Sequence, residues 1–558
     1  MDHAYHHVSE PSHEYDLDLD ITAGTWPAAL YGYVFIVGPW QPTLASYIYF
    51  GTGVLTRVDL APNAQGRPHW RSKLLSSPDT DIINGLAETV DRETLFATMG
   101  SGGWGLANTA PHSFRDRLLM TFDEMRPAEF DPVTLAFKSY CGAASEYPLV
   151  KPHPLFPQVC TTGHPVEDID EDCLWLCNLS MKPWGNSTTQ AEGDLHVVRW
   201  DGSGDVQSWS VPGARVMHGI HEVTVTKDYV VFTEVGFQKE PGAIAGRGRT
   251  KPHLPYSEIY IVAKRDLTKE NLGQAVPHAR ARVPYESFHD FADYAQDGDD
   301  ITLYIAHSNG FDINYAIDET DTVWRTGETP ASGLYGFRSA PVDASPVGRY
   351  VINGRTGEIK DSKLFLHPAK HWGAHLFARD MRRPAAERAR YLWIAYWGCD
   401  PDMLITKTVE MYRDHPWRIV PVEDLPQKEV ASTLVCIDLQ TMTEHSSWSF
   451  PEGTFGQSPV FVPDETGKSD GWIIAFHQHR DHTELQVFDA LKLDRGPIAT
   501  ATAPGLKQSY QIHSSFMPTI RSQDTGYRRT LHDDISDDWR SLPEAAHTVI
   551  EQVLARFA

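Results

Sequence analysis

Tyr391-Leu-Trp-Ile-Ala-Tyr396 is a run of six aromatic, branched and small apolar residues, closed by Gly398. It is too short for a buried helix and rich in the residue types that fit a pleated surface, so it is expected to be a strand. The same pattern recurs along the chain. Tyr229-Val-Val-Phe-Thr233, Ile259-Tyr-Ile-Val262, Ile301-Thr-Leu-Tyr-Ile305 and Trp472-Ile-Ile-Ala-Phe476 are of similar length. Turn signals such as Asp297-Gly298-Asp299 bound them. Many dispersed strands in one long chain predict an all-β propeller, sandwich array or large barrel. No clean sequence repeat sets a blade number.

Helical periodicity is rare until the tail. There Leu542-Pro543-Glu544 opens a stretch that puts Val549, Ile550, Val553, Leu554 and Phe557 on one face. The polar face carries Glu551, Gln552 and only Arg556 as a base, which suits docking on the body or on a second subunit better than anionic lipid.

Bulk composition excludes several classes. Hydrophobic residues at 41% and charged residues at 22% are globular values, and 41 Gly, 38 Pro and 16 Trp in 558 residues fit a turn-rich β chain. A formal charge of −25 argues against a nucleic-acid partner, which needs clustered Lys and Arg. Six cysteines do not make a disulfide framework in a chain this long, and Cys173 and Cys177 lack zinc-site spacing. The segment Met1 to Asp20 is polar and acidic without an apolar signal core, and no apolar run is long enough to span a bilayer. The expected location is cytoplasmic, with at most peripheral membrane contact.

Four of the 26 histidines occupy similar settings. They are His164 in Thr161-Thr-Gly-His-Pro-Val166, His221 in Val216-Met-His-Gly-Ile-His-Glu222, His289 in Glu286-Ser-Phe-His-Asp290 and His513 in Tyr510-Gln-Ile-His-Ser-Ser-Phe516. Each precedes or opens an apolar segment readable as a strand. Their wide separations exclude a local zinc-finger site and suit ligands delivered from different strands to one axis. Imidazole serves iron, zinc, copper or nickel, and each histidine taken singly also fits a structural role.

The remaining clusters carry less. His218 and His221 would point to opposite faces of a strand, so both cannot be ligands. His477 and His479 share a strand face, but Arg480-Asp481-His482 reads as a hairpin turn, and the group is expected to face solvent. His367, His371 and His375 have helical spacing, yet Pro368 and Gly373 break a helix there, so they are expected in a loop.

With those four histidines in place, the chain resembles the carotenoid cleavage oxygenases through most of its length. The resemblance is carried by Gly24-Thr-Trp-Pro-Ala-Ala-Leu-Tyr-Gly32, Val37-Gly-Pro39, Phe50-Gly-Thr-Gly-Val-Leu55 and Asn108-Thr109. It continues through Arg117-Leu-Leu-Met-Thr121, Glu124, Pro127-Ala-Glu-Phe-Asp-Pro-Val-Thr-Leu135, Phe461-Val-Pro463, Asp470-Gly-Trp472 and Leu485-Gln-Val-Phe-Asp-Ala490, in order. It implies a seven-bladed β-propeller over residues 1–525, with a loop and helix cap over the metal face. It implies that His164, His221, His289 and His513 hold Fe(II), with O2 as co-substrate. The implied reaction is oxidative scission of a conjugated C=C bond of a hydrophobic carotenoid or apocarotenoid into two carbonyl products. A stilbenoid or phenylpropene substrate, isomerisation in place of oxygenation, and a non-catalytic binding module remain as alternatives.

Three departures from the family pattern stand out. Relatives orient their ligand histidines with three glutamates. Glu124 matches the first by motif, but no Glu lies near His375-Leu376-Phe377, and Gln457-Ser458 stands where the third is expected. Stilbene-cleaving relatives tend to carry a Lys before the first Glu, where this chain has Asp123, a residue that cannot donate to a phenolate. Finally, residues 526–558 extend past the usual end, and the extension is expected to cover an entrance or build an oligomer contact.

Overall fold

The structure is a computed structural model that describes residues 3–8, 13–42, 48–89, 105–151, 158–181, 193–216, 219–236, 252–313, 315–380, 388–467, 470–508, 510–535 and 537–557. Seven antiparallel sheets of four or more strands form a seven-bladed β-propeller. Blades 1 to 5 follow the chain, and their innermost strands are Ala110–Phe114, Val166–Asp168, Ile220–Val225, Ser287–Ala292 and Ala374–Ala378. Blade 6 begins at Phe455–Gly456 and Val460–Val462 and continues through Trp472–Gln478, Thr483–Asp489 and Ala499–Thr502.

The ring is closed by both ends of the chain. Asp20–Gly24 adds the outer strand of blade 6, pairing with Ala499–Thr502. In blade 7 the late strand His513–Met517 pairs with the early strand Tyr33–Pro42, so that Val37 lies opposite His513. Joining distant chain segments in two neighbouring sheets removes the free edges that an open ring would leave.

The quoted runs are strands: Tyr391–Tyr396 is one from end to end, and Tyr229–Glu234, Tyr256–Ala263, Asp300–His307 and Trp472–Gln478 contain the others. Their residues are buried almost throughout, because blades pack face to face and both faces of a middle strand are covered. All six cysteines are buried, and none is in a disulfide. No helix among the described residues is long and apolar enough to cross a membrane.

A cap core gathers the long connections on either side of blade 5's inner strands. Phe311, Leu334, Phe337, Trp397, Met403 and Tyr412 pack there with Tyr5 from the N-terminal turn Ala4–His7. His367 lies in a turn, as expected, whereas His375 belongs to the strand Ala374–Ala378.

Helix α1, Pro78–Thr89, has little apolar periodicity and escapes the sequence reading. Its start is nevertheless well specified: Ser77 Oγ accepts from Thr80 N at 3.3 Å, Pro78 opens the first turn, and Asp79 and Asp81 favour the positive helix end. A short helix α2 follows at Thr406–Met411, and the expected tail helix α3 is Glu544–Arg556. The apolar face of α3 is used on the body: Ile550 and Val553 pack with Ile82, Ile83 and Leu86 of α1 and with Trp539. A Cβ at Gly85 would lie 2.4 Å from Val549, so the two helices approach this closely only because Gly85 has no side chain. Asp534 anchors the extension through an ion pair with buried Arg126 and by accepting from Ala144 N at 2.9 Å.

Candidate metal centre

Four blades deliver one histidine each to the axis. His164 lies just before the inner strand of blade 2, His221 and His289 lie within those of blades 3 and 4, and His513 opens the strand that closes blade 7. All four are buried, and one nitrogen from each falls within 4.8 Å of the other three. His164 Nε2 and His513 Nε2 face each other at 3.2 Å, and ring centroids of neighbouring imidazoles are 4.2 to 5.1 Å apart. The sequence grouped these residues, and the structure brings all four together. His218, weighed against His221, lies outside the described residues.

The backbone fixes this convergence. His164 N donates to His221 O at 2.8 Å, and Val223 N donates back to His164 O at 3.0 Å, locking blades 2 and 3 together at the ligands. Thr162 Oγ1 adds a second bond to His221 O at 2.5 Å. Gly163 is required: a Cβ there would lie 2.7 Å from Cε1 and 2.9 Å from Nδ1 of the His221 ring.

A carboxylate beside the motif's Glu124 orients one ligand. His221 Nδ1 donates to Asp123, 2.9 Å from Oδ1 and 3.0 Å from Oδ2, and Asp123 Oδ1 also accepts from Gly163 N at 3.3 Å. This bond puts the ring proton of His221 on Nδ1 and makes Nε2 the atom suited to bind a metal. Glu124, given this part by the sequence reading, is buried next door. The two acids sit side by side in the turn after Arg117–Thr121, and Asp123 meets the His221 ring. Asp123, the residue that spoke against a phenolic substrate, is engaged with His221.

At the two positions lacking glutamate, other chemistry surrounds the ligands. The Phe377 ring stands 5.9 Å from that of His289. Ser458 Oγ pairs with Ser514 Oγ at 2.9 Å, and Gln457 Oε1 accepts from Gln511 N, so both residues hold the segment carrying His513. His112 also joins the centre unforeseen. Its Nε2 donates to Gly163 O at 3.0 Å, its ring lies 5.4 Å from that of His164, and burial pushes its pKa down to about 4.

Electrostatically the centre is built for neutral imidazoles. Burial, followed by the neighbouring imidazoles, drives His164 well below the usual histidine range, and burial does the same to His513. Behind the ligands, Glu222 Oε2 accepts from Asp290 N at 2.9 Å, and burial pushes both carboxyls upward. Converging, buried imidazole nitrogens with one tautomer set by a carboxylate are a donor set for a divalent transition metal. The residues therefore fit an Fe(II) site.

The family model for retinal pigment epithelial membrane protein, RPE65, matches residues 5–518. The chain belongs to the RPE65 and carotenoid cleavage oxygenase family. That family comprises iron-dependent oxygenases, and its four-histidine site is present here. Among solved structures, cobalt-substituted Synechocystis apocarotenoid oxygenase is similar at 17% identity, over 93% of this chain and 98% of that one, with a TM-score of 0.62. Lignostilbene dioxygenase of Pseudomonas brassicacearum is similar at 18% identity, over 91% and 97%, with a TM-score of 0.59. A chimera of the apocarotenoid oxygenase and RPE65 is similar at 16% identity, over 93% and 98%, at 0.60. Among curated proteins none matches the sequence. The family match ends before the tail, so the extension that carries α3 lies outside it.

Proposed function

We propose that this family member is a non-haem Fe(II) dioxygenase that cleaves a conjugated C=C bond of a carotenoid or apocarotenoid with O2 into two carbonyl products. The observation that carries the reading is the meeting of four buried imidazoles at one point. Iron bound there supplies a redox-active centre with positions left over for dioxygen chemistry. The chain's own contribution is to hold His164, His221, His289 and His513 in place, with Asp123 keeping the proton of His221 on Nδ1. Phe288 lies 4.9 Å from the His289 ring and 6.3 Å from that of His221, and it leads through Phe311 toward Trp397 in the cap core. Such a wall excludes water beside the centre and offers flat apolar contact to a conjugated chain.

A stilbenoid substrate is the second reading. It regains ground because Asp123 is engaged with His221 and no longer speaks against a phenolic group. Neither Asp123 nor Phe122 offers that group a donor, so the carotenoid reading stands first. The test is anaerobic Fe(II) loading followed by aerobic incubation with carotenoids, apocarotenoids and stilbenes under labelled O2. Mass spectrometry should find two carbonyl fragments of an apocarotenoid carrying label. Isomerised, unlabelled product or no turnover of any of these would overturn the proposal.

A further inference from the structure

We infer that blade 6 carries a second metal site, in which His477, His479 and Glu484 bind a divalent cation of the zinc class. The site is local. His477 lies in the strand Trp472–Gln478 and His479 just past its end, on the same face, since alternate residues share a face. Glu484 stands directly opposite His477 in the neighbouring strand Thr483–Asp489, and Gln486 follows on the same face. The sequence reading put this group in solvent. The structure corrects that for His477, which is 2% exposed, while His479 and Glu484 are half-buried.

The donor atoms form a nearly equilateral triangle. His477 Nδ1 is 3.1 Å from His479 Nε2 and 3.2 Å from Glu484 Oε2, and His479 Nε2 is 3.2 Å from Glu484 Oε2. A tetrahedral zinc with bonds of about 2.0 Å needs ligand atoms about 3.3 Å apart, so the triangle matches one face of that tetrahedron. Gln486 closes another side, its amide nitrogen 2.9 Å from His477 Nδ1 and 3.1 Å from Glu484 Oε2. Its Oε1 has no partner among the described residues, and turning the amide over presents that oxygen as a fourth donor.

An independent contact sets the tautomer a ligand requires. His477 Nε2 donates to Thr454 Oγ1 at 2.8 Å, and that hydroxyl gives its own proton to Pro451 O at 2.7 Å. The Nδ1 lone pair of His477 is thereby aimed into the triangle. Burial holds His477 below the ordinary imidazole range, whereas the two imidazoles hold the Glu484 carboxyl far down.

The opposite face shows what such a clasp would steady. Gln478, between the two histidines, accepts from Gln457 Nε2 at 3.3 Å and from Thr483 Oγ1 at 3.0 Å. Gln457 in turn holds Gln511 N, two residues before the axial ligand His513. A cation pinning this hairpin fixes the outer end of that chain of contacts.

The experiment uses the full-length protein stripped by chelator, titrated with zinc ion alone, with bound equivalents counted by elemental analysis. Relative to wild type, His479→Ala and Glu484→Gln should each lose one equivalent, His513→Ala should lose a different one, and the double variant His479→Ala/His513→Ala should lose both. Thr454→Val, which removes only the acceptor behind His477, should weaken the hairpin equivalent about 10- to 100-fold. Circular dichroism checks that each variant folds, and Glu484→Gln carries the test if His479→Ala does not. If the folded His479→Ala or Glu484→Gln protein binds as many equivalents as wild type, the cluster is a hydrogen-bonded network only and the inference is overturned.

Discussion

The axial centre and the blade 6 hairpin both gather imidazole nitrogens to within bonding reach of one cation, but by opposite routes. The axial four come from blades 2, 3, 4 and 7 and meet only after the ring has closed. The hairpin triangle is complete within two neighbouring strands and needs nothing but their register and one threonine behind it. The axial site is therefore a product of the whole fold, with ligands held by bonds between blades such as His164 N to His221 O. The hairpin site is a product of local alternation. The axial donors are all imidazole, which suits redox chemistry on a neutral substrate, while the hairpin includes a carboxylate that offsets cation charge.

The largest effect should come from breaking the convergent site. His513→Ala removes one of the four ligands and should take turnover to background while circular dichroism stays native, since the strand Tyr33–Pro42 still pairs with the remainder of His513–Met517. Next in size is Asp123→Asn, which keeps the shape but replaces the carboxylate that takes the proton of His221 Nδ1. Iron affinity, measured by competition with a chelator, should fall about 10- to 100-fold. Glu124→Gln should fall less, and the reverse order would return the orienting part to Glu124. Smaller still, Ser458→Glu places a carboxylate beside the segment of His513, next to Ser514. It should lower the iron reduction potential, and an unchanged potential would show that this position does not reach the centre.

The least dramatic contrast is in pH. A histidine whose pKa is depressed by folding costs stability only as pH drops below its unfolded value near 6.5, and it takes up its proton late. His164 and His513 lie well below that value, whereas His477 is lowered less severely. On acidification from pH 7, dialysis should thus release zinc from the hairpin before iron from the axis. Release in the opposite order would mean that local charge outweighs burial.

What the sequence made legible follows the same division between local and convergent order. Strands such as Tyr391–Tyr396 were readable because their signal is contained in six residues. The tail helix was readable from the shared face of Val549, Ile550 and Val553, although its partner α1 was not, since Gly85 and few apolar residues hide its periodicity. Convergence of His164, His221, His289 and His513 is invisible to spacing, and it came from a family resemblance that the match over residues 5–518 bears out. The contact of Asp123 with His221 was not legible beside Glu124, because adjacent acids in a turn differ only in direction. The hairpin failed differently. The shared face of His477 and His479 was recognised, but the cross-strand register bringing Glu484 and Gln486 to that face was not, so a buried histidine was placed in solvent.

The most direct test of the account is X-ray absorption at the iron edge of the anaerobically Fe(II)-loaded full chain. The account predicts four imidazole nitrogens on iron, falling to three in each of His164→Ala, His221→Ala, His289→Ala and His513→Ala where metal is retained at all. An iron shell with fewer imidazoles in the wild type, or one that any of these substitutions leaves unchanged, would contradict it.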